Sequence, residues 1–177
     1  MLGIKILIYS SIFLICSTIG LLKSQKYKYR VEELKEFKNA LNIFKTKIRF
    51  TYEPLPEIFR QISGSINPSI GSIFKIASYN MKFFSAGDAW NKAVDTNILN
   101  INLEDRNILK NLSKLLGRTD LEGQISQIEL TSNFLDEQIE KAERERQKNE
   151  SMYRKLGMII GLGIVIILIW NLKKFKE

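Results

Sequence analysis

The sequence contains no histidine, and its one cysteine, Cys16, lies inside an apolar run. Imidazole bases, histidine metal ligands and disulfides are therefore excluded, and the polar part of the chain has no thiol nucleophile. No motif gathers the remaining candidates, which are Asp, Glu, Lys, Ser and Tyr. A hydrolase built on the carboxylates Glu104 and Asp105 is disfavoured, because adjacent acids at a helix start are explained by the helix dipole. We therefore predict a protein that is not an enzyme, with no catalytic residue, metal site or cofactor.

Negative charge is the scarcer sign, and the formal net charge is +8 at pH 7. Much of the excess lies beside two apolar runs, in Lys5, Lys23, Lys26, Lys28, Arg30, Lys173, Lys174 and Lys176. Positive flanks of this kind are typical of membrane segments. The rest of the chain is close to neutral, so no nucleic-acid partner is predicted.

The two apolar runs are Ile6 to Leu22 and Leu156 to Leu172. A helix needs roughly 17–25 mostly apolar residues to cross a bilayer, and both runs satisfy that length. Trp170 near the edge of the second run is typical of an interface anchor. The first run is either an uncleaved span or a signal peptide. The absence of a small-x-small cleavage site before Lys23 favours the span.

These runs define the predicted organisation. An N-terminal transmembrane helix occupies 1–22, a central domain 23–155, a second transmembrane helix 156–172, and a basic tail 173–177. Positive residues are more numerous on the inner flanks than on the outer ones, which predicts a cytoplasmic central domain.

The central domain is predicted to be all-α, a bundle of about six helices. Apolar residues recur at steps of three and four from Val31 to Ile48, and again in later segments. In the helix that follows Asn102, the predicted buried stripe is Ile108, Leu109, Leu112, Leu115 and Leu116. Residues typical of helix ends separate these segments. They are prolines at 54 and 56, an N-cap and proline at Asn67-Pro68, a break at Ser85 to Asp88 and a capping box at Asn102 to Asp105. No proline follows Asp120, so one helix is predicted from about Leu121 through the second span. Its charged section at 140–146 is either a solvated stalk or a docking surface.

Three ordered motifs, together with the two spans, resemble the stage III sporulation protein AB family. The motifs are Leu55-Pro56-Glu57-Ile58-Phe59, Gly87-Asp88-Ala89-Trp90 and Leu116-Gly117-Arg118-Thr119-Asp120-Leu121-Glu122-Gly123-Gln124. The resemblance covers essentially the whole chain. It implies a bundle similar to the cytoplasmic domains of type II secretion F proteins, the inner-membrane platforms of secretion and pilus machines. Those proteins usually carry two copies of the domain, whereas this chain has one, so self-association is expected.

Several residues are candidates for structural or interaction roles. Leu116 is predicted to pack, Gly117 to adopt the left-handed backbone that ends a helix, and Asp120 to cap the next helix, with Gln124 bonding near the same turn. A structural corner is favoured over a contact site there, and Trp90 is expected in the core. Gly157 and Gly161 form a small-x-x-x-small pair on which another helix can pack, although such pairs also occur without a partner.

The resemblance also implies the function. It places the protein in the channel complex between mother cell and forespore of endospore-forming bacteria, in the outer forespore membrane on the mother-cell side. We expect a platform that couples a secretion-type cytoplasmic ATPase to other membrane components of the channel, with the lipid bilayer and further copies of itself as additional partners. The alternative is a membrane-anchored helical scaffold or regulator with no motor partner.

Overall fold

The computed structural model describes residues 2–174, so Met1 and the last three residues of the predicted basic tail at 173–177 lie outside the described part. The described residues form six α-helices, one 3-10 turn and no strand. The helices are α1 (Leu2–Phe50), α2 (Leu55–Ser65), α3 (Pro68–Asn80), α4 (Ala86–Thr96), α5 (Leu103–Asn111) and α6 (Leu121–Lys174), and the turn is Leu112–Lys114. The predicted all-α class is confirmed.

The chain is divided into two units. The central unit is Arg30–Ala142, and the terminal unit combines Met1–Tyr29 with Glu143–Glu177. Each unit contains part of α1 and part of α6, while α2 to α5 belong wholly to the central unit. These bounds lie inside the predicted 23–155 domain.

Helix α1 runs unbroken from its apolar segment into its amphipathic segment. Residues 23–30 contain neither glycine nor proline, so nothing in the chain interrupts the helix between the two patterns. The helix ends at Phe50. Tyr52 then has a positive φ of 49°. Pro54 is the N-cap of α2 and has extended backbone, and Pro56 lies in the first turn of that helix.

The core of the central unit is apolar and rich in aromatic rings. The buried stripe of α1 packs on α2, α3 and α4. At its centre, Phe59 contacts Phe44, Phe74 and Trp90 in edge or T-shaped arrangements with ring centroids 5.1 to 5.8 Å apart. Such pairs contribute about 0.5–1.5 kcal/mol each beyond the burial of their area.

The predicted helix starts are confirmed at two places and shifted at a third. The side chain of Asn67 accepts a hydrogen bond from the amide of Ser69, and Pro68 is the first helical residue. Asn102 and Asp105 form the complete capping box of α5. Ser85 to Asp88 was predicted as a break between helices, but only Ser85 of these residues lies outside α4: it caps the helix, whose first residue is Ala86.

One detail of the predicted apolar stripe is wrong. Ile108, Leu109, Leu112, Leu115 and Leu116 were expected on one face, but Leu115 is exposed, whereas Leu109, Leu112 and Leu116 are buried. Leu115 lies after the 3-10 turn at Leu112–Lys114, in the turn that leads to Gly117 with its positive φ. The helical repeat has ended there, so helical spacing no longer decides which face Leu115 takes.

Helix α6 is one continuous helix of 54 residues, as predicted from Leu121 onward. Its apolar half, like that of α1, is long and apolar enough to cross a membrane. Only 11% of the most apolar window of each helix is buried. A core helix of a water-soluble protein would be buried along most of its length, so these two segments are not explained as core.

Candidate functional site

The three sequence motifs meet at one end of the central unit, here called the far end. Gly117 has a φ of +71°, and a Cβ atom there would lie 3.2 Å from Ala86 Cβ and 3.3 Å from Leu55 Cδ1. The α2 start, the α4 start and the α5–α6 corner therefore touch. The opposite, near end contains Arg30 and Ala142, through which the chain passes to the terminal unit. Twenty residues of α1 separate Arg30 from Phe50, about 30 Å at 1.5 Å per residue.

The second motif packs tightly against the third. A Cβ atom on Gly87 would lie 2.5 Å from the carbonyl oxygen of Ser113, so α4 rests directly on the backbone of the 3-10 turn. Trp90 is fully buried, and its Nε1 donates a hydrogen bond of 2.7 Å to the carbonyl of Leu109. Trp90 is therefore part of the core and not available to a partner.

The remaining motif residues hold the α5–α6 corner together. Asp120 Oδ1 accepts a bond of 3.0 Å from the amide of Gly123, at the first turn of α6. Gln124 donates to the carbonyl of Thr119 at 3.2 Å and accepts from the amide of Gly117 at 3.4 Å. Leu116 is buried beneath the corner. These contacts are structural, and they fix the direction in which α6 leaves the corner.

The first motif is held at its surface by an ion pair. Arg60 donates to both carboxylate oxygens of Glu57, at 2.8 and 2.5 Å. This hydrogen bonding, with help from Gln61, lowers the pKa of Glu57 to about 2. The pair is exposed and so adds little stability. The lowered pKa keeps the carboxylate of Glu57, in the first turn of α2, ionised at neutral pH.

An uncovered set of aromatic and lysine side chains lies at the far end, between α3 and α4. Tyr79, Phe83 and Phe84 are 60%, 67% and 43% exposed. The Tyr79 and Phe83 rings are 5.7 Å apart, and the ammonium groups of Lys82 and Lys92 lie 5.5 and 3.3 Å from the centroids of Tyr79 and Phe84. We call these five residues the aromatic–lysine patch. The sequence analysis missed it, although the adjacent pair Phe83-Phe84 in a turn was a usable signal.

The patch belongs to the far end through its neighbours. The hydroxyl of Ser78 donates to the carbonyl of Pro56 at 2.7 Å, which ties the end of α3 to the start of α2. Ala86, two residues after Phe84, contacts the Gly117 corner.

Within the terminal unit, Gly157 and Gly161 face the first apolar segment. A Cβ atom on Gly157 would lie 2.8 Å from Gly20 Cα, and one on Gly161 would lie 3.2 Å from Cys16 Cβ. Gly163 has no neighbour within 4 Å of such an atom. The two apolar segments of one chain therefore pack backbone against backbone, and this face of the second segment is already occupied.

We predict that Gly161→Cys forms an intrachain disulfide with Cys16. The Cβ separation of 3.2 Å needs an adjustment of only a few tenths of an ångström to reach the usual range of about 3.5–4.5 Å. Oxidation of the full-length variant in lipid, followed by maleimide-polyethylene glycol labelling under denaturing conditions, should show two blocked thiols. Gly163→Cys is the matched control and should stay reactive. Equal reactivity in the two variants contradicts the packing of these helices.

The near end contains a buried ion pair that the sequence analysis missed. Arg30 was interpreted as a membrane-flanking residue, but its side chain is buried and donates from Nε and Nη2 to the two oxygens of Asp105, at 2.7 and 3.1 Å. Gln138 on α6 accepts a third, longer bond of 3.4 Å. The missed signal is spacing, because Arg30 precedes Leu34 by one helical step and shares its buried face.

Asp105 therefore has two roles. It completes the capping box of α5, as predicted, by accepting from the amide of Asn102 at 2.9 Å. It also neutralises Arg30 from 75 residues away. Lys141 and Glu104 add an exposed ion pair of 3.2 Å beside it, so α1, α5 and α6 are joined where the chain enters and leaves the central unit.

A second acid of α1 fastens the loop before α5. Glu33 accepts two bonds of 2.7 Å from Asn100, one from its amide and one from its side chain. Burial raises the pKa of Glu33, and the bonds from Asn100 only partly oppose that rise.

The raised pKa of Glu33 predicts a pH effect. A folded pKa above the unfolded value of 4.5 means that the folded state binds more protons in this window, so the contribution of Glu33 to stability falls as pH rises through it. Glu33→Gln lacks this titration. The melting temperature of the variant minus that of the wild type should therefore increase from pH 4 to pH 7 in scanning calorimetry of the full chain in detergent. A difference that does not change with pH contradicts the prediction.

No group of three or more acidic or cysteine side chains in the described part of the chain is placed to hold a metal ion. The functional features that the structure does bring together are surfaces and helix contacts, namely the motif corner, the aromatic–lysine patch and the pair of apolar segments.

Comparison with known proteins identifies the family. The sequence profile of the stage III sporulation protein AB family matches residues 5–169. The stage III sporulation protein AB of Bacillus subtilis (strain 168) is 24% identical over 164 residues, which cover 89% of this chain and 96% of that protein. A solved structure of a stage III sporulation protein AB has the same fold, with a TM-score of 0.62 and 21% identity over 68% of this chain and 98% of its own. The chain therefore belongs to the stage III sporulation protein AB family.

Proposed function

We propose that this protein is a non-enzymatic membrane platform of a sporulation channel, and that it couples a cytoplasmic ATPase to the membrane components of that channel. Family membership supports the sporulation setting. The observation that carries the platform role is the continuity of α1 and α6. Each helix contains both an apolar segment able to cross a bilayer and a part of the packed central unit.

The coupling would be mechanical. The ATPase supplies nucleotide-driven motion, and the central unit receives it on a cytoplasmic surface. Helix α6 has a contour length of about 80 Å at 1.5 Å per residue and contains no proline. A displacement of the α5–α6 corner would therefore be carried toward the apolar segments without crossing a flexible linker.

The proposed placement follows from charge and from the domain count. The inner flanks of the apolar segments hold more Lys and Arg than the outer flanks, which favours a cytoplasmic central unit. In this proposal both segments cross the outer forespore membrane on the mother-cell side. The chain has one helical domain where type II secretion F proteins usually have two, so a platform similar to theirs is built by self-association.

Crosslinking in native membranes tests the platform. Full-length protein is crosslinked in sporulating cells of the source organism, purified in detergent, and the captured proteins are identified by mass spectrometry. We expect the secretion-type ATPase, channel membrane proteins and a second copy of this chain. Capture of membrane components without any ATPase would instead favour a scaffold or regulator with no motor partner. A full-length protein that stays dissolved without detergent would contradict both.

Hydrogen exchange tests the mechanical part separately. The segment Arg144–Ser151 connects the packed part of α6 to its apolar part, and a rigid transmitter requires its amides to be protected there. Rapid exchange of these amides, beside slow exchange at 125–142, would refute transmission through α6 while leaving the platform role intact.

A further inference from the structure

We propose that the aromatic–lysine patch is a docking surface for a carboxylate-rich face of a cytoplasmic protein partner. The inference deepens the proposed function and rests on it for the cytoplasmic exposure of the central unit. It specifies where on this chain a partner binds and what chemistry that partner presents.

The first argument is that the aromatic side chains of the patch are exposed to solvent. Trp90, Phe59 and Phe74 are fully buried in the core, whereas Tyr79 at the end of α3 and Phe83 in the turn after it are exposed. Large aromatic side chains are enriched among the residues that dominate binding energy at protein interfaces. Their rings bury apolar area at a low cost in side-chain entropy, because each has only two rotatable side-chain bonds.

The second argument is charge. Neither Lys82 nor Lys92 forms an ion pair with a carboxylate of the described chain; each ammonium lies over a ring instead. The nearby acid Asp95 is already paired with Lys110 at 2.7 Å, and Asp88 accepts from Ser85. The patch thus presents positive charge that no carboxylate of the described residues neutralises. A partner with carboxylates opposite the lysines and apolar groups against the rings would satisfy both features.

The third argument is position. The patch lies at the far end, opposite Arg30 and Ala142, where the chain continues to its apolar segments. The same end carries the Gly117 corner from which α6 departs, so a partner bound here would act on the start of that helix.

Site-specific photocrosslinking tests the proposal. Benzoylphenylalanine replaces Phe83 in the full-length chain, and adducts are collected from sporulating cells and identified by mass spectrometry. We expect an adduct with an acidic cytoplasmic protein, and the double variant Lys82→Glu/Lys92→Glu should reduce its yield at least tenfold. Exposed control positions outside the patch, Phe134→Ala and Lys35→Glu, should leave the yield within twofold.

The outcomes separate this proposal from the platform proposal. A second photoprobe replaces Phe134 on α6. Capture of the ATPase from Phe134 but not from Phe83 overturns the patch and leaves the platform standing. An acidic partner other than the ATPase at Phe83 supports the patch and counts against motor coupling. An adduct only with lipid or with a second copy, or a yield unchanged by charge reversal, overturns the patch.

Discussion

Replacing Asp105 with alanine is expected to destabilise the central unit by about 3–5 kcal/mol, the usual cost of breaking a buried ion pair by removing one of its two members. The guanidinium of Arg30 would lose both oxygens of its bidentate contact. The amide of Asn102 would also lose its acceptor in the capping box. Since domains are stable by about 5–15 kcal/mol, much of the variant should be unfolded or degraded.

The measurement is urea unfolding of the full-length chain in detergent, followed by the fluorescence of Trp90 in a Trp170→Phe background. The midpoint should fall strongly for Asp105→Ala. Glu104→Ala is the matched control, because its ion pair with Lys141 is exposed and exposed pairs contribute little.

A double variant distinguishes loss of the ion pair with Arg30 from loss of the hydrogen bond in the capping box. Arg30→Met/Asp105→Leu removes both charges and fills a similar volume, and such replacements are often neutral or stabilising. We expect it to recover most of the stability lost in Asp105→Ala. A double variant as unstable as the single one would show that the capping box, and not the charge of Arg30, is the larger contribution.

Replacing Trp90 with alanine is expected to cost about 3–5 kcal/mol, as for other large-to-small changes in a core. The ring packs against both Phe59 and Phe74, and it donates the hydrogen bond that the carbonyl of Leu109 accepts. Removal leaves both a cavity and a buried acceptor without its donor. Thermal unfolding followed by circular dichroism at 222 nm should show a large drop in midpoint.

Two further variants define what the Trp90 result means. Trp90→Phe keeps an aromatic ring but loses the bond to Leu109, so its stability should lie between those of wild type and Trp90→Ala. Phe83→Ala removes an exposed ring of similar size and should change stability by no more than about 0.5 kcal/mol, as is usual at the surface. An equally large loss for Phe83→Ala would mean that the patch is part of the fold and not a free surface.

The helices of this protein could be predicted because their signals are local. Asn67-Pro68 and the Asn102–Asp105 box act within four residues, and each start was found where the cap residue stands. The continuity of α6 was predicted because no proline follows Asp120. The continuity of α1 rests on the same physics, but the apolar run and the amphipathic stripe were interpreted as separate elements.

The details of packing were harder to predict. Leu115 fitted the apolar stripe, but the regular helix ends before it, and Leu115 is exposed in the turn that follows Lys114. Gly157 and Gly161 were recognised as a surface for a close helix, whereas the identity of that helix, the first apolar segment of the same chain, depended on the tertiary contact with Gly20.

Sequence by itself determined the all-helical class, the helix starts and the two apolar segments, since periodicity, caps and hydrophobic runs operate over a few residues. Tertiary structure alone decided that Arg30 pairs with Asp105 across 75 residues, that three separated motifs meet around Gly117, and that Tyr79, Phe83 and Phe84 stay uncovered. The physical reason is that burial and ion pairing depend on which distant segment lies opposite a side chain. Only the packed arrangement of α1 to α6 fixes those neighbours.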